Sequence, residues 1–172
     1  GVVPTFVDHI VSVPAITAVE QLRGKIGGVN RLGTTSDLGL RLALTKLGIE
    51  PDKDVKIIPT GGTAERFAAL SKGITQFTII PEPFVTQAEK LGLRNLYNIS
   101  DLKIPFWWNG ILSRETIVKA KRPLMLKLAR AMVEAIHIIK TEKEYAMSLF
   151  KKNLGVTDPV GLERAYRDYS NV

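Results

Sequence analysis

From Leu22 onward the chain repeats one pattern: a short apolar extended run, a turn marked by glycine or proline, then a helix-period segment. Lys25 to Asn30 reads as a strand, and Ser36 to Leu47 as a broad apolar helix through Leu38, Leu42, Leu44 and Leu47, stopped by Gly48. Val55 to Pro59 is the next strand. Ala64 to Ser71 follows as a helix ended by Gly73, and Gln76 to Ile80 as a strand closed by Pro81. Glu82 to Leu91 is helical up to Gly92, and Leu93 to Ile99 and Trp107 to Leu112 are two further extended segments. Consecutive parallel strands need crossovers long enough to hold a helix. This alternation therefore predicts an α/β fold, with a mixed, mainly parallel sheet covered by helices on both faces.

After Ser113 helices dominate. Pro123 to Lys140 places Met125, Leu128, Ala129, Met132, Ile136 and Ile139 at helical spacing, and Glu142 to Asn153 and Pro159 to Tyr169 are two more helical stretches. Asp158 before Pro159 is a favourable helix start. The expected organisation is a lead-in at residues 1–21, an α/β lobe at 22–113 and a helical section at 114–172.

Composition removes several kinds of chemistry. There is no cysteine, which excludes disulfide scaffolds, thiol catalysis and cysteine-ligated metals. The two histidines, His9 and His137, are far apart and in no zinc-binding spacing, so no metal or other cofactor is expected. His137 shares its helix with Ile136 and Ile139 and reads as a partly buried structural residue. No apolar run approaches the roughly 20 residues of a membrane helix, so no membrane insertion is expected. Residues 1–14 lack the basic start and apolar core of a signal peptide. The net charge of +7 raises the question of nucleic acid. Its densest cluster, Lys119, Lys121, Arg122, Lys127 and Arg130, has no interleaved base-stacking aromatics and reads as a solvated helix face. A basic surface suits a small anion rather than nucleic acid.

Three strand-to-helix junctions could carry a ligand. In Gly28-Val-Asn-Arg-Leu-Gly-Thr-Thr-Ser-Asp37, the candidate contacts are Arg31, Gly33, Thr34, Thr35, Ser36 and Asp37. A glycine turn entering a helix aims backbone amides, and about half a positive charge, at an anion. The phosphate-loop lysine is replaced by Thr34, so nucleotide binding loses its main support. The alternative use of Thr34, Thr35, Ser36 or Asp37 is to cap the helix. The second junction, Gly61-Gly62-Thr63, has the same composition, and open α/β sheets bind ligands at the carboxyl ends of their strands. In the third, Glu82 between Pro81 and Pro83 stands at a helix start, where a carboxylate is favoured with or without a ligand. Catalytic groupings are absent: Ser36, Ser71, Ser113 and Ser148 lack a nucleophile elbow, so no enzyme is expected. Trp107 and Trp108, followed by Asn109, alternate across a short extended run. One indole is then expected in the core and one at a cleft.

Leu22-Arg-Gly-Lys-Ile-Gly-Gly-Val, Leu32-Gly-Thr-Thr-Ser-Asp-Leu, Leu47-Gly-Ile-Glu-Pro-Asp-Lys-Asp-Val, Gly61-Gly-Thr-Ala-Glu-Arg-Phe-Ala-Ala-Leu, Pro81-Glu-Pro and Lys90-Leu-Gly-Leu-Arg occur in that order. In this order of motifs the chain resembles the solute-binding proteins of the nitrate/sulfonate/taurine ABC transporters, and through them the pyrimidine-precursor binding proteins. The resemblance implies a type II periplasmic binding protein fold and a small organic anion or heterocycle as solute. It also implies an ABC transporter permease as partner, and a periplasmic or extracytoplasmic location. It places Gly33 to Asp37, Gly61 to Thr63 and Pro81 to Pro83 along the cleft, with Trp107 and Asn109 near the crossover between lobes. Members are about twice this length, so the first half of lobe one is expected to be missing, leaving Met125, Leu128, Met132 and Ile136 as an apolar patch. Two other classes share the fold: pyrimidine-synthase-like enzymes, which need a cleft histidine and iron-binding cysteines, and the effector-sensing domains of LysR-type regulators, which follow a helix-turn-helix.

Overall fold

A computed structural model describes residues 2–3, 6–106 and 109–170. In chain order its strands are β1 (Val2–Val3), β2 (Asp8–Ser12), β3 (Ile26–Val29), β4 (Lys56–Pro59), β5 (Phe77–Pro81), β6 (Arg94–Asn98) and β7 (Asn109–Gly110). The α-helices are α1 (Thr35–Lys46), α2 (Thr63–Ser71), α3 (Phe84–Lys90), α4 (Glu115–Ala120), α5 (Arg122–Thr141), α6 (Lys143–Leu154) and α7 (Pro159–Ser170). The chain forms two compact units, one spanning Phe6–Ile104 and the other built from the β1 end together with residues from Pro105 onward.

In the Phe6–Ile104 unit a five-stranded sheet has the order β4-β3-β5-β2-β6. β3 runs parallel to both β4 and β5, whereas β2 is antiparallel to β5 and β6, so four strands point one way and one opposes them. This is the mixed, mainly parallel sheet expected. β2, however, lies inside the stretch read as a lead-in. All five of its residues are buried, and Asp8, His9 and Ser12 break the apolar signature of a central strand. Their polar groups are met locally: Ser12 Oγ donates to the Ile16 carbonyl at 3.1 Å, and His9 Nδ1 lies 3.2 Å from Asn95 Oδ1.

Helices cover both sheet faces as right-handed crossovers require. β3 leads to β4 on one side, while β4 leads to β5 and β5 to β6 on the other, which sets α1 opposite α2 and α3. Leu70, Val85 and Ala88 of α2 and α3 pack with Val11, Ile80 and Leu93, flanked by the Phe67 and Phe84 rings at 5.7 Å. On α1, Gly39 faces Phe6, whose side chain is fully buried. A Cβ at Gly39 would lie 2.6 Å from that ring. Gly39→Ala gains about 1 kcal/mol of helix propensity, but overpacking a fixed aromatic costs about 1–3 kcal/mol. The denaturation midpoint is expected to fall; a rise would show that Phe6 yields.

In the other unit, β1 and β7 pair antiparallel, Val2 with Gly110 and Val3 with Asn109, and the four remaining helices follow. Asp158 starts α7 as expected, its Oδ2 accepting the Gly161 N–H at 2.7 Å. Ala146 and Ala165 are buried, Phe150 meets the edge of Tyr169 at 5.8 Å, and Lys143 pairs with Glu163. α5 differs: it is apolar around most of its circumference, yet none of its residues is buried. Met125 and Met132 are half-buried, while Leu128 and Ile136 are 39% and 44% exposed, among the residues expected to form an apolar patch. His137 is exposed, not partly buried, because it lies on the side of α5 with Arg130 and Glu134 instead of with Ile139. The basic residues of the 119–130 cluster are all exposed.

Candidate ligand-binding crevice

The strand order fixes where a ligand can sit in the Phe6–Ile104 unit. β3 and β5 are neighbours, but the chain leaves β3 toward β4 and leaves β5 toward β6. Loops that part in this way open a crevice outside the carboxyl ends of the two strands. Its edges are the loop of residues 30–36 after β3 and the corner at residues 81–83 after β5, with the loop of residues 60–62 after β4 alongside. Since β2 is antiparallel, Asp8 at its start reaches the same edge, opposite Pro81.

The first loop is held by its own polar groups. Gly33 has φ +79°, a left-handed conformation that glycine adopts without strain. Its N–H donates to Asp37 Oδ2 at 2.7 Å, and Asp37 Oδ1 accepts from Arg41 Nε at 2.7 Å. Both oxygens of this buried carboxylate therefore have partners within the chain. Arg41 also reaches Asp52, whose carboxyl is held below its usual range by that hydrogen bond. Ser36 Oγ accepts the Asn30 N–H at 2.9 Å, and Thr34 Oγ1 donates to the Arg31 carbonyl at 2.6 Å. Thr34 occupies the N-cap position of α1, but its side chain makes no cap hydrogen bond. The first-turn amides of α1 are thus not closed off by the residue placed to cap them. Arg31 and Thr35 are exposed on this loop.

The second loop is tied to the first, with Thr60 N–H donating to the Val29 carbonyl at 2.8 Å and Gly61 N–H to that of Asn30 at 3.2 Å. Gly61 has φ +99°, and a Cβ there would lie 2.9 Å from that of Glu65. Gly62, the N-cap of α2, has no side chain to close the helix. Gly61→Ala combines left-handed strain with this clash, and a loss of about 1–3 kcal/mol is expected on chemical denaturation. An unchanged midpoint would show that the loop re-forms around the methyl group.

Arg66 underlies this loop and is only 5% exposed. Its Nε donates to the Ile79 carbonyl at 3.0 Å and its Nη2 to Thr63 Oγ1 at 3.2 Å, joining β5 to the start of α2. Burial pushes its pKa below the usual arginine value, opposed by the carboxylates of Asp8 and Glu65. By sequence position Arg66 is a first-turn residue of α2, where a charged side chain is usually solvated. The signal of its burial is its position at i of an i, i+3, i+4 stripe with buried Ala69 and Leu70.

At the third junction the Glu82–Pro83 peptide is cis. Glu82 is 2% exposed, and its carboxylate accepts the Thr86 N–H at 3.2 Å and the Thr86 hydroxyl at 3.1 Å. It thereby caps the first turn of α3, the structural use that its position allowed. The crevice edge thus brings together residues 31–37, Gly61, Gly62, Thr63 and Glu82, and adds Asp8 and Arg66. Asn109 opens β7 in the other unit, and Trp107 and Trp108 lie outside the described residues. Among the described residues no group of three or more His, Asp or Glu could hold a metal ion, and no helix is long and apolar enough to cross a membrane.

Comparison with known proteins agrees with this architecture. The alkanesulfonate-binding protein SsuA from Xanthomonas axonopodis pv. citri, solved bound to MOPS, matches with a TM-score of 0.77 and 20% identity, over 98% of this chain and 58% of its own. The ligand-binding component of an ABC-type import system from Staphylococcus aureus, solved with zinc bound, matches with a TM-score of 0.74 and 16% identity, over 97% of this chain and 56% of its own. The periplasmic aliphatic sulphonate-binding protein SsuA from Escherichia coli matches with a TM-score of 0.69 and 20% identity, over 95% and 52%. This chain therefore spans just over half the length of each. All three are described as binding proteins or binding components. No curated protein matches the sequence. The fold is that of type II periplasmic binding proteins, and the sequence model of the NMT1-like family covers residues 12–151. From fold and family match together, the chain belongs to the NMT1-like family.

Proposed function

We propose that the chain is part of an extracytoplasmic solute-binding component of an ABC importer, and that it holds a small organic anion, of the sulfonate class before others, for delivery to the permease. The observation that carries this reading is the pair of helices α1 and α2, whose N-terminal turns flank the switch-point crevice without side-chain caps at Thr34 and Gly62. Amides left open in this way, each backed by about half a positive charge, are satisfied by an anionic oxygen. A sulfonate offers three such oxygens. The likeness to sulfonate-binding proteins supports the same ligand class, and their periplasmic location supports the location proposed here. Thr34 and Thr35 are proposed to line the seat, with exposed Arg31 on its rim. Asp37 and Glu82, whose carboxylates are already engaged, are assigned to holding its walls.

Calorimetry with an alkanesulfonate, nitrate, an aminopyrimidine and an alkylammonium ion tests the class. Saturable binding of the sulfonate and none of the alkylammonium ion is expected. Thr34→Val/Thr35→Val removes the Thr35 hydroxyl donor and the Thr34 hydroxyl that ties the loop to the Arg31 carbonyl, and at about 1 kcal/mol each is expected to weaken binding about tenfold or more. Preference for the cation, or unchanged affinity in the double variant, would refute the assignment.

A further inference from the structure

Asp37, the third residue of α1, puts a negative charge inside the same turn whose amides face the crevice. A carboxylate there is itself a ligand for the positive end of the helix, and its charge opposes a second anion. Its two oxygens go elsewhere instead. The side chain is 8% exposed, Oδ2 accepts the Gly33 N–H at 2.7 Å, and Oδ1 accepts Arg41 Nε at 2.7 Å from one helical turn on. Arg41 is fixed in turn by Asp52, on the loop between α1 and β4, whose carboxylate oxygens accept from Nη1 and Nη2. Asp52 is mostly exposed and adds little energy by itself, but a grip on both terminal nitrogens sets the direction in which Nε points. We infer that Arg41 is a positioning residue of the anion seat: by holding Asp37 beside Gly33 and offsetting its charge, it keeps an internal carboxylate from closing the first turn of α1. This rests on the anion reading of the crevice. Without Arg41 the carboxylate is free to turn toward the open amides and its charge is uncompensated, and both effects lower the affinity for an anion. A residue that only stabilised α1 would, when replaced, lower the unfolding midpoint and leave the affinity of the folded chain unchanged.

Arg41→Gln tests this, by calorimetry with an alkanesulfonate and by amide hydrogen exchange in the free chain. Affinity is expected to fall about tenfold or more, since the buried carboxylate loses its charged partner. Gly33 should exchange about tenfold or more faster, with the amides of β5 still protected. Arg41→Lys keeps a cation four residues after Asp37 and should recover most of the affinity. Asp37→Asn added to Arg41→Gln removes the uncompensated charge, keeps an oxygen for Gly33, and should return affinity to within about threefold of the unaltered chain. Affinity unchanged in Arg41→Gln, a double variant no better than the single, or Gly33 exchange that does not respond would each overturn the role of Arg41 and leave the anion site standing. An unaltered chain that binds no alkanesulfonate, while Gly33 exchange still rises in Arg41→Gln, would overturn the anion reading and this role with it.

Discussion

Arg66→Leu is expected to destabilise the Phe6–Ile104 unit by about 3–5 kcal/mol, a large share of a typical domain's stability. Two effects oppose each other here. Burying a guanidinium is costly, as its lowered pKa shows, and leucine avoids that cost. The substitution also leaves the Ile79 carbonyl without this donor and removes the positive charge that faces Asp8. Removing one member of a buried charged pair costs more than replacing both, so the loss wins. Arg66→Lys should recover little, because a single ammonium cannot reproduce the planar fork that meets Ile79 and Thr63 together. Urea unfolding followed by circular dichroism reads the effect, and a midpoint unchanged in Arg66→Leu would show that Arg66 does not join the sheet to α2.

Phe77→Ala should cost about 3–5 kcal/mol, since a fully buried ring is lost. Its partner across the parallel pair is Gly27, where a Cβ would lie 2.5 Å from the Phe77 ring. The ring thus occupies the space of the missing side chain. Gly27→Ala alone should cost about 1–3 kcal/mol through overpacking. Gly27→Ala in the Phe77→Ala background should cost much less, with a coupling of about 1 kcal/mol or more. Strict additivity would show that the ring and the glycine are not matched.

The α/β repeat was legible because each strand and helix between residues 25 and 98 is punctuated by glycine or proline, and its limits fall within one or two residues of those expected. β2 was not legible, because a strand buried on both faces shows no alternation and this one carries three polar residues. α4 was missed too: Glu115–Ala120 is short and has no buried face to impose a period. At the crevice, Gly33 and Gly61 could be read because their left-handed backbone calls for glycine. Asp37 could not be sorted in the same way: its position suggests a helix cap or a ligand contact, and only its bonds to Gly33 and Arg41 reveal a different use, as a brace of the loop. Arg66 was passed over because a charged residue in a first turn is usually solvated, and only its stripe with Ala69 and Leu70 marks it as internal.

Backbone amide resonances followed during titration with an alkanesulfonate report most directly on an anion seated at the open turns of α1 and α2. Saturable shifts at the amides of Thr35, Ser36, Asp37, Thr63 and Ala64, sharing one dissociation constant and absent with an alkylammonium ion, are expected. Saturable binding that leaves both first turns silent, or shifts produced by the cation instead, would contradict an anion site at this crevice.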